Sequence, residues 1–202
     1  ITKVVFILGT KAQFIKSYPL LQNLNNKNIK LKIIDTGQHK KTTSTQLDIL
    51  DFDYKYKSIS KNKKDIATIS KLIRWFLVSI TKIIFSKPEK EKTICILHGD
   101  TASTLIGLVW AKKNKSIIFH IESGSRSGKL YRPFPEELIR IVTEKFSDYL
   151  VCEYEFQIKN LNKYKSKKEI IFTGHPTIVD SILDTLPGKL LSANKIFKNN
   201  LI

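Results

Sequence analysis

Three acidic residues stand at points of the sequence where acid–base chemistry is readily assembled. Asp100 follows the apolar run TICILHG, Glu122 ends the run SIIFHIE, and Glu136 lies at the start of the helical pattern PEELIRIVTEKF. Carboxylates that are held close together have their pKa values pushed apart, so that one can act as a base and another as an acid. For the separate residues, a helix cap at Asp100 and a favourable helix-dipole contact at Glu136 are the structural alternatives.

Cationic and polar side chains follow the other predicted strands. In the turn LGTK, Gly9 permits a tight bend and Thr10 can cap a helix whose N-terminal amides attract an anion. Cations beside carboxylates can hold a phosphorylated ligand. At His175, which precedes Pro176, a capping or hinge role is the alternative to ligand binding. The candidate substrate-binding residues are Lys11, Lys16, Gln38, His39, Arg126, Arg140 and His175. Together with the carboxylates they predict acid–base work on a sugar that bears a phosphate, with the reaction left open.

Short β-branched runs alternate with segments of helical period, which predicts an α/β fold with a Rossmann-like, doubly wound parallel sheet. The carboxyl ends of parallel strands meet at one edge of the sheet, so the candidate residues are expected to converge there. The predicted strands cover 3–8, 31–36, 93–99, 116–122, 148–152 and 169–174, with helices between them, including one at 43–52 and a first helix that Pro19 is expected to kink. We expect one domain over residues 1–184 and a linker or tail over residues 185–202.

The chain of 202 residues carries a net charge of +17, from 35 basic and 18 acidic residues. The surplus is scattered between predicted elements rather than interleaved with aromatic residues on one face, which argues against nucleic-acid binding. The segment from Ile69 to Phe85 combines an apolar stripe with three cations, so peripheral membrane contact is an alternative to a helix packed on the sheet.

Other site classes have no support in the sequence. Cys95 and Cys152 lie in apolar runs and are predicted to be buried thiols rather than a disulfide. We find no metal-ligand spacing, P-loop or Ser-His-Asp set, and therefore predict neither a metal nor a cofactor. No leader pattern is visible and no apolar run is long enough to cross a bilayer, so the sequence predicts a soluble, cytoplasmic protein.

Five ordered motifs suggest a family. GTKAQFIKSYPLL, DTGQHKK, LHGDTAST, HIESGSRSGKLYRPFPEELIR and FTGHPTIVDSI resemble the N-terminal half of the UDP-N-acetylglucosamine 2-epimerases. The resemblance implies one half of a glycosyltransferase-B-like architecture, in which two Rossmann-type domains enclose the active site. It also implies elimination of UDP to give a 2-acetamidoglucal, followed by re-addition with inverted C2, or by water addition in hydrolysing members. Surface-polysaccharide precursor synthesis is the implied setting.

The resemblance assigns roles by position. The family's catalytic acids fall on Asp100, Glu122 and Glu136, and its loop cations on Lys11, Lys16, Arg126 and Arg140. Lys11 stands where arginine is usual, so a bidentate phosphate contact becomes a point charge. The motif QHKK differs from the QHRQ of members regulated by their own substrate, which weakens the case for the same allosteric site.

The family's second domain supplies most of the UDP-binding surface, and it lies beyond this sequence. A UDP-sugar substrate, a C-terminal domain or separate chain that completes the cleft, and a homodimer are the partners that the resemblance implies. Two other functions stay open. One is a non-catalytic binding or assembly module derived from the epimerase domain, and the other is half of a glycosyltransferase of the same architecture.

Overall fold

The apolar runs of the sequence form one parallel sheet in a computed structural model that describes residues 2–39, 50, 52–60, 65–66, 68–128 and 134–185. Its strands are β1 (Lys3–Leu8), β2 (Leu31–Asp35), β3 (Lys55–Ser58), β4 (Thr93–His98), β5 (Ile117–Ile121), β6 (Tyr149–Cys152) and β7 (Glu169–Phe172). They lie in the order β3-β2-β1-β4-β5-β6-β7, and every neighbouring pair is parallel. The order reverses between β1 and β4, and in such sheets ligands bind beyond the carboxyl ends of the strands at that point.

Helices follow the strands on both faces of the sheet. Within the described residues they are α1 (Lys11–Asn26), α2 (Ile69–Phe85), α3 (Ala102–Lys113), α4 (Glu136–Phe146), α5 (Glu155–Leu161) and α6 (Thr177–Thr185), with a 3-10 turn at Asn162–Tyr164. None of these helices is both long and apolar enough to cross a membrane.

The two faces of the sheet build two separate apolar cores. On β1, Val5 and Ile7 point to a core shared with α2 and α3, while Val4, Phe6 and Leu8 point to a core shared with α1. Phe6 and Ile7 are fully buried on opposite faces, and each contributes about 1.5–3 kcal/mol of burial free energy. Strands covered on both sides need apolar residues throughout, so the predicted doubly wound α/β fold is confirmed. Cys95 and Cys152 are buried free thiols, also as predicted.

Helix α1 continues through Pro19 as a single element. Proline lacks the N–H that would bond to the carbonyl four residues earlier, here that of Ile15. Ser181 of α6 supplies the missing donor, since its Oγ donates to the Ile15 carbonyl at 2.5 Å. The contact of α6 with α1 therefore satisfies the carbonyl that the proline releases.

Strand β3 is an edge strand that the sequence did not suggest. Its residues are KYKS, mostly exposed, and carry no apolar alternation. The predicted helix at 43–52 lies almost wholly outside the described residues, as does the predicted tail after Thr185.

Candidate functional site

The turn after β1 is fastened by Gln13, which lies in the first turn of α1. Its Oε1 accepts hydrogen bonds from the N–H groups of Gly9 (3.0 Å) and Thr10 (3.3 Å), and its Nε2 donates to the carbonyl of His98 (2.8 Å). An amide can accept and donate in this way, whereas a carboxylate can only accept. Glycine is required at position 9 because a Cβ there would lie 1.9 Å from Thr36 Oγ1. The two strands that flank the switch point are thus joined at their carboxyl ends.

Asp100 lies directly after β4 and is held by Arg140 of α4. Arg140 Nη2 contacts Asp100 Oδ2, while Nη1 donates to Glu137 Oε2 at 2.8 Å and to the Ser125 carbonyl at 3.0 Å. The Arg140 side chain is only 12% exposed. Because acceptors from three segments fix the guanidinium, it orients the Asp100 carboxylate at the edge of the sheet.

Glu122 follows β5 in an uncommon backbone conformation. Its φ is +65°, in the left-handed region that non-glycine residues rarely adopt. Its Oε1 is ion-paired with Lys16 Nζ of α1, and its Oε2 lies 3.6 Å from His98 Nε2. A Cβ on Gly99 would lie 3.3 Å from Glu122 Oε2, so this carboxylate lies against the backbone next to Asp100. Backbone strain of this kind persists where surrounding contacts enforce it and is frequent at functional sites.

Glu136 is the first residue of α4, where the helix dipole favours a negative charge. Its Oε2 is buried and has no hydrogen-bond partner among the described residues. It therefore differs from Asp100 and Glu122, whose carboxylates each contact a cation.

Arg126 forms an ion pair with Glu144, which was not among the candidate site residues. Its Nη1 donates to Glu144 Oε1 at 2.8 Å and its Nη2 contacts Glu144 Oε2, and the Glu144 carboxylate also accepts from the Gly124 N–H at 2.7 Å. Burial lowers the pKa of Arg126, but the pairing with Glu144 outweighs it, so that the pKa is raised overall. Nothing in the sequence EKF at the end of α4 indicates that Glu144 is fully buried.

The remaining predicted ligands lie at the same edge with different partners. Lys11 is exposed and makes no ion pair with the described residues. The side-chain carbonyl of Gln38 accepts from Ser103 Oγ at 2.7 Å, and the backbone N–H of His39 donates to the Gly9 carbonyl at 2.8 Å. His175 lies farther along, 56% exposed and 3.1 Å from Asp180 Oδ2.

Two buried polar residues, His98 and Glu153, lie next to the site. His98, the last residue of β4, is 1% exposed, and its Nδ1 lies 3.0 Å from Ser17 Oγ. Burial, with the positive charge of Lys16, lowers its pKa to about 3, so the imidazole is neutral at neutral pH. Glu153, directly after β6, is 3% exposed, and burial raises its pKa. Neither residue was singled out in the sequence, because His98 lies within a predicted apolar strand and Glu153 directly follows one.

A groove of about 840 Å³ lies beside this site rather than in it. It runs between α1, the sheet and α6, and most of its lining is apolar. Asp100, Glu122 and Glu136 do not line it, whereas Glu153 and His175 do. The carboxylates of Asp100 and Glu122, after β4 and β5, thus lie outside the groove.

The sequence is similar to known proteins over most of its length. A family model described as UDP-N-acetylglucosamine 2-epimerase matches residues 22–200. A putative UDP-N-acetylglucosamine 2-epimerase of Clostridium acetobutylicum is 32% identical over 187 residues, which are 91% of this chain and 47% of that protein. The UDP-N-acetylglucosamine 2-epimerase of Methanocaldococcus jannaschii is 32% identical over 186 residues, with 91% and 49% covered. The chain thus spans about half the length of these curated relatives.

Solved structures agree in fold. A crystal structure of a UDP-N-acetylglucosamine 2-epimerase superposes with a TM-score of 0.73 at 30% identity, covering 93% of this chain and 52% of that one. The Neisseria meningitidis UDP-GlcNAc 2-epimerase, solved bound to UDP-GlcNAc, gives a TM-score of 0.72 at 26% identity, covering 98% and 52%. The sheet order, the carboxylates after β4 and β5, and a family match over most of the sequence lead to one conclusion: the chain belongs to the UDP-N-acetylglucosamine 2-epimerase family.

Proposed function

We propose that the chain is the N-terminal half-site of a UDP-N-acetylglucosamine 2-epimerase that acts in the cytoplasm on precursors of surface polysaccharide. The observation that carries the proposal is the arrangement of Asp100 and Glu122, two carboxylates after adjacent strands, each in contact with a cation. The Neisseria relative, which has this fold, is solved with UDP-GlcNAc.

The reaction requires groups that transfer protons on both faces of C2. In the elimination, a base takes the proton from C2 of the sugar while the C1–O bond breaks and UDP leaves; re-addition of UDP with protonation of the other face of C2 gives the inverted sugar. Glu122 and Glu136 are the proton-transferring pair, and Asp100 acts beside them. The buried Oε2 of Glu136, which has no hydrogen-bond partner among the described residues, supports its role, because that oxygen is not already committed to another group.

The rest of the cleft belongs to a second domain. The chain spans about half of its relatives, which supports a C-terminal domain, in the same polypeptide or a separate one, that closes over the carboxylates in a glycosyltransferase-B-like arrangement. Lys11, Gln38 and His39 face this partner and bind the UDP-sugar together with Lys16, Arg126, Arg140 and His175. We also propose that the assembled protein is a homodimer.

The test is turnover of UDP-N-acetylglucosamine by the chain joined to the C-terminal half of the Clostridium relative. We expect epimerisation or release of free N-acetylmannosamine by the joined protein and none by the chain alone. Asp100→Asn and Glu122→Gln should each abolish turnover, because each removes a carboxylate from the edge. Glu155→Gln, which changes an exposed acid at the start of α5, is the matched control and should be fully active. Full activity in both edge variants would refute the assignment.

A binding or assembly module is the second candidate, favoured by the outer face of α2. Ile69, Ile73 and Leu77 follow one another at helical spacing and are 78%, 55% and 59% exposed. Contiguous exposed apolar side chains mark interaction surfaces in soluble proteins. The same face serves the proposed homodimer, so it supports an assembly role without excluding catalysis.

A further inference from the structure

Three residues of types that bind metals converge at the carboxyl ends of the strands. His98, Glu122 and Glu153 follow or end the adjacent strands β4, β5 and β6, and their nearest ligand atoms all lie within 4.8 Å of one another. We call them the His98–Glu122–Glu153 cluster. They are separated by more than twenty residues along the chain, so only the parallel register of the strands brings them together.

The imidazole of His98 is presented as a metal-ligating histidine is. Its Nδ1 lies 3.0 Å from Ser17 Oγ, and its Nε2 is buried without a hydrogen-bond partner among the described residues. Histidines that bind metals commonly use one ring nitrogen as the ligand while a neighbouring group holds the other. The Nε2 faces Glu122 Oε2 at 3.6 Å, which is too long for a hydrogen bond. A buried imidazole nitrogen thus points at a carboxylate without bonding to it.

Each glutamate of the cluster has one oxygen held by another group of the chain. Glu153 Oε1 accepts from the Thr177 N–H at 3.2 Å, at the first turn of α6, and Glu122 Oε1 is ion-paired with Lys16. Because ligand atoms of Glu122 and Glu153 lie within 4.8 Å of each other, their negative charges repel, and a cation between them would relieve that repulsion.

We propose that His98, Glu122 and Glu153 form a binding site for one divalent transition-metal ion. One imidazole nitrogen and two carboxylate oxygens suit Zn²⁺ or Mn²⁺ better than Mg²⁺ or Ca²⁺, which prefer oxygen ligands alone. Glu153 also lines the groove between α1 and α6, so the cluster adjoins that groove. Lys16 competes with the ion for Glu122, and an ion held there would prevent Glu122 from accepting a proton. The site shares Glu122 with the proposed epimerase, so a bound ion would inhibit that activity, but the binding of the ion does not depend on the epimerase function.

The test is calorimetric titration of the chelator-treated 202-residue chain with Zn²⁺, followed by the visible absorption of bound Co²⁺. We expect one ion per chain, and an affinity at least tenfold lower in Glu153→Gln, which keeps the size of the side chain and its acceptor for Thr177. Glu169→Gln, which removes an exposed carboxylate at the opposite end of the sheet, is the matched control and should bind as the unaltered chain does. No binding, or equal affinity in Glu153→Gln and the unaltered chain, would overturn the site.

A second variant keeps the proposal testable if changes at Glu153 impair folding. Lys16→Met removes the competing ammonium while keeping a long side chain, so the affinity for Zn²⁺ should rise. Affinity that is unchanged or lowered in Lys16→Met would contradict the site. Thermal melting of each variant in chelator shows whether it is folded, and the titration needs no turnover, so its result is separate from that of the epimerase assay.

Discussion

Acid should destabilise this fold through His98 in particular. Burial, reinforced by the charge of Lys16, lowers the pKa of His98 from its ordinary value of 6.5 to about 3. Between these values the unfolded chain binds a proton at this residue and the folded chain does not, so the free energy of unfolding falls as the pH falls. The stabilisation is fully present above pH 6.5 and is lost progressively toward pH 3. Between pH 7 and pH 5 the linkage relation gives a loss of about 2 kcal/mol from this one group.

Urea unfolding in chelator at half-unit steps from pH 7 to pH 5 measures this loss. In His98→Gln the titrating group is gone, so the free energy of unfolding should fall by about 2 kcal/mol less over the same range. The comparison of slopes cancels the other titrating groups, including Glu153, whose raised pKa acts in the opposite direction. His175→Gln retains His98 and should retain the steep slope. Equal slopes in His98→Gln and the unaltered chain would refute the reasoning, because they would mean that the folded protein protonates this imidazole freely.

Two further predictions concern the stability and assembly of the same domain. Glu144→Gln removes the closer of two buried carboxylates beside the Arg126 guanidinium and leaves only Glu137, at 3.7 Å, so the free energy of unfolding in urea should fall by about 3 kcal/mol; a loss as small as that of the exposed Glu155→Gln would show that the pair with Glu144 does not stabilise the fold. Ile73→Glu together with Leu77→Glu puts charge on the apolar face of α2 and should turn the proposed homodimer into a monomer in light scattering. Lys71→Glu, on the same helix, should not, and a dimer that survives the double change would place the interface elsewhere.

The sequence predicted most of the fold because buried parallel strands are apolar throughout. The runs around Phe6, Leu97 and Leu150 have that composition, and each became a strand of the sheet. It also predicted that carboxylates would meet at one edge, since the side of the sheet on which a strand ends follows from chain direction alone. Strand β3 was not predicted because an exposed edge strand has no apolar pattern in its sequence.

The partners of the site residues could not be predicted from the sequence. Glu144 resembles an exposed helical acid until packing buries it against Arg126. Glu153 and His98 resemble polar ends of apolar runs until strand register brings them beside Glu122. Such pairings depend on distances between segments remote in sequence, which composition and periodicity do not encode.

The ion pairs at the site give its cations a different role from the predicted one. The sequence suggested that Lys16, Arg126 and Arg140 would grip a phosphorylated ligand, yet within the described residues each is bound to a carboxylate of the same chain. A cation shared in this way binds a phosphate only by weakening its contact with the acid, so its first effect is to fix the carboxylates in position. In the proposed function, Lys11, which is exposed and has no ion pair among the described residues, is the cation of α1 available to a diphosphate. Such a half-site would hold its proton-transferring groups in position and would rely on a second domain for most of the UDP binding, so turnover should require both halves.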